Sequence, residues 1–342
     1  IDLMPQAPGR DPLAHVFFSD SGSTAVEVAL KMALGYWHNR ALDGLGEARS
    51  RILVLEHSYH GDTIGAMSIG ERGVYNAAWT PLLFDVGTIP FPHPGREQET
   101  LAALEVACAE QPAAFIVEPL ILGAGGMLIY PPHLLQAMAD ICARHDVLFI
   151  ADEVMTGWGR TGTLFACEQA GVVPDIMAVA KGITGGAIPL AATLATPRIF
   201  EAHRSTDRAR LFYHSSSYTA NAIACAAAAE NLAIWAEEDV RGRIAALAQG
   251  IADRLAVLAG HPAFANPRQI GTIMAIDLVA ADAGYLSDLA PRLRAFFLKR
   301  GLLLRPLGNT IYLMPPYCID AEQLDAVFAA LVAAGDYFGS AS

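Results

Sequence analysis

The chain has 342 residues, of which 53% are hydrophobic and 17% are charged, and its formal net charge is −12. At about 150 residues per domain, this length indicates roughly two domains with a sizeable core, and the composition excludes a disordered chain. The acidic balance argues against a surface for nucleic acid or anionic membrane, so a small-molecule ligand is the better expectation.

Short β-rich runs alternate with longer helical segments over the first two thirds of the chain, which is typical of a parallel α/β sheet. Residues 16–18 predict the first strand, and apolar residues at 3.6-residue spacing predict a helix over about 23–39. The later strands are predicted over 51–56, 114–117, 147–151, 175–180 and 188–196, and the helices over 97–110, 133–145 and 220–238. A glycine-rich loop over 123–126 separates two of these elements.

A domain boundary is predicted near residue 236. Residues 1–236 then form a large ligand-binding domain, and residues 237–342 form a smaller α+β domain. In the smaller domain the predicted helices cover 240–259, 288–300 and 321–335, and the predicted strands cover 271–277, 302–305 and 310–314.

The cysteines and the apolar runs of the sequence indicate in which cellular compartment the protein is expected. The five cysteines are scattered and form no C-x-x-C pair, so neither a disulfide framework nor a zinc site is expected. No apolar run approaches the roughly 18 residues of a membrane span, and the first residues show no signal-peptide pattern. A cytoplasmic protein without membrane partners is expected. The chain does not begin with Met, which is typical of a fragment.

Asp152 directly follows the apolar run over 147–151. Ligands of open α/β sheets lie beyond the carboxyl ends of the strands, so a carboxylate at this position is a candidate ligand-binding group. A helix cap or a salt-bridged acid is an equally open interpretation.

Lys181 ends the apolar run over 176–180 and precedes a glycine. An amine carried at an apolar strand end is expected to be desolvated, which is the condition for a Schiff-base nucleophile. The alternative is a lysine whose stem lies along the apolar surface while its amine reaches water. Lys31, on a helix, and Lys299, near a helix end, both fit structural roles.

The segment Ser21-Gly22-Ser23-Thr24 follows the first strand and opens a helix. The exposed N–H groups and the positive end of the helix dipole make this turn a candidate phosphate site, and Gly22 permits close approach of the backbone. The same residues also fit an ordinary helix cap.

These three features together predict a pyridoxal-phosphate site. The cofactor needs a seat for its phosphate, a carboxylate for its pyridinium nitrogen and an amine for its aldehyde. With the ring nitrogen protonated, the ring accepts the electrons that are released when a substrate loses its Cα proton, and the lysine moves that proton.

The segment over 152–162 reads DEVMTGWGRTG and is followed by Lys181 at the end of the next predicted strand. This arrangement resembles the signature of the class III aminotransferases, which are fold type I pyridoxal-phosphate enzymes. The resemblance implies an α/β fold with a mostly parallel central sheet flanked by helices and a smaller C-terminal α+β domain.

Further segments are similar to one branch of that family, the adenosylmethionine-8-amino-7-oxononanoate aminotransferases of biotin biosynthesis. They cover residues 20–33, 59–63, 123–127, 164–168, 184–186 and 305–316. This resemblance implies transfer of an amino group to 8-amino-7-oxononanoate, giving 7,8-diaminononanoate. S-Adenosylmethionine is the implied donor, and some members of the branch use lysine instead.

The resemblance also implies roles for the residues around the cofactor. Lys181 would form the Schiff base, Asp152 would bond the pyridinium nitrogen, and Tyr59 would stack on the ring. Gly22 and Ser23 would hold the phosphate.

Other implied roles concern the subunit boundary and the substrates. Ser217 would reach the phosphate in the neighbouring subunit, so a homodimer is implied. Arg305 would bind the carboxylate of the oxononanoate, with Tyr312 beside it, because a guanidinium is suited to that bidentate contact. Asp62 and Arg160 would line the substrate side of the pocket, and Asp62 suits a cationic donor.

Each of these residues also has a structural interpretation that the sequence leaves open. Tyr59 could pack a loop, Arg305 could pair with a surface acid, and Asp62 could cap the following turn. Arg160 could pair with a carboxylate such as Glu118.

This chain departs from the family pattern in three places. Residues 214–218 read HSSSY where better-known members carry Gly-Pro-Thr after the His, and Leu122 replaces a common Gln. The family's amino-terminal segment would precede Ile1. Two alternatives therefore stay open: another class III enzyme that acts on ω-amino acids or diamines, and an inactive fragment that binds the cofactor.

Overall fold

The central sheet is built from strands in the first 200 residues. The computed structural model describes residues 1–74, 76–280 and 288–339. The strands in this first part are, in chain order, β1 (His15–Ser19), β2 (Ile52–Leu55), β3 (Gly87–Ile89), β4 (Ala114–Val117), β5 (Ile121–Leu122), β6 (Leu128–Ile129), β7 (Leu148–Asp152), β8 (Ile176–Val179) and β9 (Ala191–Ala195). The strands β5 and β6 pair with each other, and the others form one sheet in the order β1-β9-β8-β7-β4-β2-β3.

The prediction of a mostly parallel sheet is confirmed. The strands β3, β2, β4, β7 and β8 run parallel, whereas β9 and β1 at one edge pair antiparallel. Every residue of β2, β4, β7 and β8 is buried, which explains why these strands are continuous apolar runs. Because parallel strands end at the same edge of a sheet, the segments that follow these four strands emerge together.

Helices connect the strands of this sheet. They are α1 (Gly22–Leu42), α2 (Ile64–Ser68), α3 (Glu97–Ala109), α4 (Pro132–Arg144), α5 (Pro197–His203) and α6 (Ala222–Glu237). Helix α1 begins at Gly22 because the side chain of Ser21 accepts from the Thr24 N–H at 3.3 Å, while Oγ1 of Thr24 accepts from the Ser21 N–H at 3.0 Å. Its inner face packs with isoleucines of the sheet, which are Ile52, Ile116, Ile150 and Ile176.

The last hundred residues form a second, antiparallel sheet in the order β10-β11-β12. The elements are α7 (Val240–Leu258), β10 (Phe264–Ile270), β11 (Ile273–Leu278), α8 (Leu289–Leu298), β12 (Thr310–Leu313) and α9 (Ala321–Gly339). Apolar residues of the three helices and the three strands share one buried cluster. This arrangement confirms the expected α+β character of the region.

The predicted strand over 302–305 is wrong. These residues form no ladder in the described structure, although Leu302 and Leu304 pack against the second core and Leu303 is 78% exposed. The side chains therefore alternate between buried and exposed as they do in a strand, but the backbone of this segment pairs with no other strand in the described structure. The third strand of that sheet is instead β10, which the sequence analysis missed.

The chain divides into two compact units. One contains Ile1–Trp158 and Leu164–Glu238, and the other contains Gly159–Thr163 and Asp239–Ser342. The predicted large domain included residues 159–163, and the predicted boundary near residue 236 stays a prediction. No helix of the described residues combines the length and the apolar character needed to cross a membrane.

Candidate active site

The carboxylate of Asp152 is buried at the end of β7, where it is 5% exposed. Its Oδ2 lies 2.7 Å from Nδ1 of His60, and its Oδ1 accepts a hydrogen bond from the N–H of Val154 at 3.1 Å. These contacts fix the orientation of the carboxylate. They also leave acceptor positions unused, because an ionised carboxylate offers about four.

Glu118 is a second buried carboxylate at the same edge of the sheet, directly after β4. Its Oε1 accepts from the N–H of Tyr59 and its Oε2 from the N–H of Gly123, both at 3.0 Å. Burial raises the pKa of Glu118 to about 7, with His60 opposing that shift and the charge of Asp152 adding to it. Glu118 thus joins the loop that carries Tyr59 to the glycine-rich loop after β5.

The amino end of α1 lies against the segments that follow β2 and β7. A Cβ atom on Gly22 would lie 2.7 Å from Cγ1 of Val154, so only glycine permits this approach without displacement. Oγ of Ser23 accepts from the N–H of Asp62 at 3.2 Å. The N–H groups at the start of α1 are therefore held beside the segment that follows Asp152.

Glu153 follows Asp152, but its carboxylate stabilises the loop that comes after β7. Its Oε2 accepts from Oγ1 of Thr156 at 2.5 Å and from the N–H of Ala166 at 3.1 Å, and its Oε1 accepts from the N–H of Cys167 at 2.8 Å. Burial raises the pKa of Glu153. The two adjacent carboxylates thus have different tasks, because Glu153 is enclosed by donors of the following loop.

Lys181 lies just beyond β8, the strand that pairs with β7. In that pairing Asp152 stands opposite Ala178, and the N–H of Glu153 donates to the carbonyl of Ala178 at 2.9 Å. Lys181 has a φ of 46°, an uncommon left-handed conformation for a residue with a side chain. Its side chain is exposed, so the expected desolvation is wrong: the chain turns out of the buried strand before it reaches this residue.

Tyr59, Asp62 and Ser217 are exposed in this chain. The loop of Tyr59 and Asp62 is tied down through its backbone by Glu118 and Ser23, as described above.

The segment that carries Ser217 is anchored near α1. Oγ of Ser216 donates to Asp20 at 2.7 Å, and Nζ of Lys31 donates to the carbonyl of Tyr213 at 2.6 Å. This contact agrees with the structural role expected for Lys31.

The remaining predicted residues lie in the second unit. Tyr312 on β12 is half-buried, and burial raises its pKa while the nearby charge of Arg305 lowers it. Nη1 of Arg160 donates to the carbonyl of Pro315 at 2.6 Å, and its guanidinium lies 4.6 Å from the ring centre of Tyr317. Arg160 is therefore held by a carbonyl and an aromatic ring.

The residues of the first unit fit pyridoxal phosphate. The oriented carboxylate of Asp152 has spare acceptor capacity for a pyridinium N–H, and the start of α1 offers N–H groups beside a glycine that cannot carry a Cβ. Lys181 supplies an amine at the end of the neighbouring strand. This donor set matches the three requirements of the cofactor.

Two residues of this arrangement were missed by the sequence analysis. No role was predicted for His60, which lies within the motif over 59–63, and Glu118 was predicted only as an alternative partner of Arg160. Glu118 closes the apolar run over 114–117 just as Asp152 closes its own strand, so the same signal could have found it. No local signal in the sequence identifies His60 as the contact of Asp152.

Comparison with known proteins gives a consistent family assignment. The family model described as Aminotransferase class-III matches residues 2–334. An adenosylmethionine-8-amino-7-oxononanoate aminotransferase of Synechococcus elongatus is 47% identical over 334 residues, covering 94% of this chain and 76% of that protein. One of the same name from Anoxybacillus flavithermus is 40% identical, covering 93% of this chain and 73% of that protein.

Solved structures give the same result. The adenosylmethionine-8-amino-7-oxononanoate aminotransferase of Methanocaldococcus jannaschii is similar with a TM-score of 0.90 and 32% identity, covering 98% of this chain and 77% of that one. A PLP-bound amine transaminase of an uncultivated Pseudomonas species has a TM-score of 0.87 and 33% identity, covering 95% and 77%. With the family match spanning nearly the whole chain, this protein belongs to the class III aminotransferases.

Proposed function

We propose that this chain transfers an amino group from S-adenosylmethionine to the 7-keto group of 8-amino-7-oxononanoate, giving 7,8-diaminononanoate for biotin biosynthesis. The observation that carries the proposal is the set of relatives that bear this enzyme name, at 34% to 47% identity over about nine tenths of the chain.

The cofactor in this proposal is pyridoxal phosphate, which when bound supplies an aldehyde for the amino group and an electron-accepting ring. Nζ of Lys181 would take the proton that the donor loses from its Cα in the first half of the reaction, and would supply a proton to C7 of the oxononanoate in the second half. Asp152 keeps the ring nitrogen protonated through a charge-assisted hydrogen bond.

Other residues of the first unit orient the cofactor in this proposal. Tyr59 stacks on the ring from a loop whose backbone is held by Glu118. Gly22 and Ser23 bind the phosphate through the N–H groups at the start of α1.

The substrates are assigned to the remaining predicted residues. Arg305 pairs with the carboxylate of the oxononanoate, and Tyr312 lies beside it, which its electrostatic interaction with Arg305 supports. Asp62 would face the cationic donor, and Arg160 would contact the substrate. The two substrates would bind in turn, because the same amine of Lys181 serves both halves of the reaction.

The active form in this proposal is a cytoplasmic homodimer in which Ser217 reaches the phosphate bound by the neighbouring subunit. The free thiols of the cysteines support the reducing location; they are Cys108, Cys142, Cys167, Cys225 and Cys318. The exposure of Ser217 leaves it accessible to a second subunit.

Half-reactions of the purified chain with pyridoxal phosphate test the proposed donor. S-Adenosylmethionine is expected to convert the bound cofactor to its amino form, followed by amino transfer to 8-amino-7-oxononanoate. Lysine and β-alanine are the comparison donors. Conversion by lysine alone would overturn the proposed donor, and conversion by β-alanine without amination of the oxononanoate would overturn the proposed acceptor.

A second candidate is another class III enzyme, an ω-amino acid or diamine aminotransferase. The similarity to the amine transaminase, at 33% identity and a TM-score of 0.87, favours this candidate. Its sequence identity to this chain is about the same as that of the Methanocaldococcus enzyme, which is 32%. An intact cofactor spectrum without conversion by any donor would instead indicate an inactive fragment that binds pyridoxal phosphate.

A further inference from the structure

His60 contacts the carboxylate of Asp152, and the proposed function assigns no role to it. Its side chain is fully buried, and its Nδ1 lies 2.7 Å from Oδ2 of Asp152. The two residues are 92 positions apart in the chain, so the tertiary fold alone brings them together.

The surroundings of the imidazole ring decide which nitrogen carries the proton. Nε2 of His60 is buried and has no hydrogen-bond partner within the described part of the chain. Because an ionised carboxylate only accepts, Nδ1–H of His60 donates to Asp152.

The loop of His60 is anchored on both sides of this residue. The N–H of Tyr59 donates to Glu118, and the N–H of Asp62 donates to Ser23. The carboxyl of Asp152 contacts the imidazole ring of His60, and Glu118 interacts with it electrostatically. The imidazole ring is therefore fixed in position rather than free to follow Asp152.

We propose that His60 is a positioning residue of this aminotransferase: its Nδ1–H holds the carboxylate of Asp152 in one orientation for the ring nitrogen of pyridoxal phosphate. Hydrogen bonds to the charged form of a carboxylate favour that form. The inference rests on the proposed role of Asp152 toward the cofactor and does not depend on which substrates are used.

Two substitutions separate the hydrogen bond from the packing of the ring. His60→Leu removes the donor, whereas His60→Asn keeps an N–H donor close to the position of Nδ1. The matched control is His145→Leu, because Nε2 of His145 lies 2.6 Å from Oε1 of Glu105 in a pair of similar length at the surface. All variants are made in the full chain.

Three measurements are made on each variant: pyridoxal-phosphate affinity by absorbance titration, the pH dependence of the visible band of the bound cofactor, and thermal unfolding of the cofactor-free chain. Loss of a hydrogen bond to a charged group is expected to weaken cofactor binding about 10- to 100-fold in His60→Leu. The pH midpoint of the band is expected to shift by about one unit. His60→Asn is expected to stay within about threefold of wild type, and His145→Leu to match it.

Wild-type affinity and pH midpoint in His60→Leu would overturn the inference. Equal losses in His60→Asn and His60→Leu, together with equal loss of thermal stability, would overturn it as well, because they would assign only packing to the ring. Failure of every donor in the half-reactions would overturn the proposed function alone, since these readouts use pyridoxal phosphate without substrate. A wild-type chain that binds no pyridoxal phosphate would overturn both.

Discussion

At the scale of the residue, the backbone distinguishes Lys181 from the other two lysines. Lys31 lies on α1 and donates to the carbonyl of Tyr213, and Lys299 caps the carboxyl end of α8, where a cation suits the helix dipole. Lys181 instead has a left-handed φ of 46° just beyond β8. Such a conformation costs about 1–3 kcal/mol and persists where the surrounding structure imposes it, which is typical of functional sites.

Lys181→Ala is expected to abolish the bond to pyridoxal phosphate that borohydride traps, together with amino transfer, because the amine is the group that bonds the aldehyde. Mass spectrometry of the reduced protein measures the trapped adduct. Lys299→Ala serves as the control and is expected to keep adduct and turnover. An adduct that survives in Lys181→Ala would place the nucleophile elsewhere.

Glu118 makes the stability of the fold depend on pH. Its pKa is raised to about 7 from an ordinary value of 4.5, so the folded chain binds more protons than the unfolded chain between these values. The free energy of unfolding therefore falls as pH rises through this window. At about 1.4 kcal/mol per pH unit, the total loss approaches about 3 kcal/mol.

Glu118→Gln is expected to remove this contribution. Denaturant unfolding at about pH 5 and about pH 8 measures the free energy of unfolding of both proteins. The stability advantage of wild type over the variant is expected to shrink from the lower to the higher pH. A constant difference at both pH values would contradict the raised pKa of Glu118.

At the scale of the element, the start of α1 depends on one close approach. The reciprocal cap of Ser21 and Thr24 sets where the helix begins, and Gly22 lets that end lie against Val154. The cap is recognisable in the sequence, because the residues lie three apart. The contact with Val154 is not, because it joins two segments that only the sheet brings together.

Gly22→Ala is expected to lower the free energy of unfolding by about 1–3 kcal/mol, because the new Cβ overlaps Cγ1 of Val154. It is also expected to weaken pyridoxal-phosphate binding. The double variant Gly22→Ala/Val154→Ala is expected to recover most of the stability, since the clashing methyl group is gone. Denaturant unfolding and cofactor titration measure both effects.

Gly73→Ala is the control for the loss of a glycine, because nothing lies within 4 Å of the Cβ it would add. It is expected to change neither stability nor binding. Destabilisation of the double variant equal to that of Gly22→Ala would show that the cost does not arise from the contact with Val154.

Sequence patterns predicted the strands of the first sheet better than those of the second. The buried strands β2, β4, β7 and β8 are continuous apolar runs, so each was recognisable alone. In the second sheet, β10 carries Asn266, Pro267 and Arg268, which suppressed the strand signal, whereas Leu302 and Leu304 imitated one. Residues 264–270 form a strand because they pair with β11. Residues 302–305 do not form one, because they have no paired strand in the described structure.

At the scale of the whole molecule, α6 presents an apolar surface that the described residues leave exposed. The helix is rich in alanine, but its buried residues are Ala224 and Ala228, whereas Ile223 is 72% exposed. An exposed apolar patch on a helix is typical of an interaction surface. This exposure supports the proposed homodimer, in which a second subunit covers α6.

Ile223→Glu is expected to shift the homodimer toward the monomer, because it places a charge on the apolar surface of α6. Light scattering measures the molecular mass over a range of protein concentrations. Val257→Glu on α7, where the side chain is 78% exposed, is the control and is expected to leave the mass unchanged. A wild-type chain that stays monomeric at all concentrations would contradict the proposed dimer.

The sequence by itself determined the α/β class, the parallel strands and the candidate pair Asp152 and Lys181, because periodicity and strand-end position are local properties of the chain. Only the tertiary structure decided that Nδ1 of His60 meets Asp152, that Glu118 joins two loops, and that Lys181 is exposed. Hydrogen-bond partners that lie tens of residues apart depend on strand order and register, which no local pattern encodes.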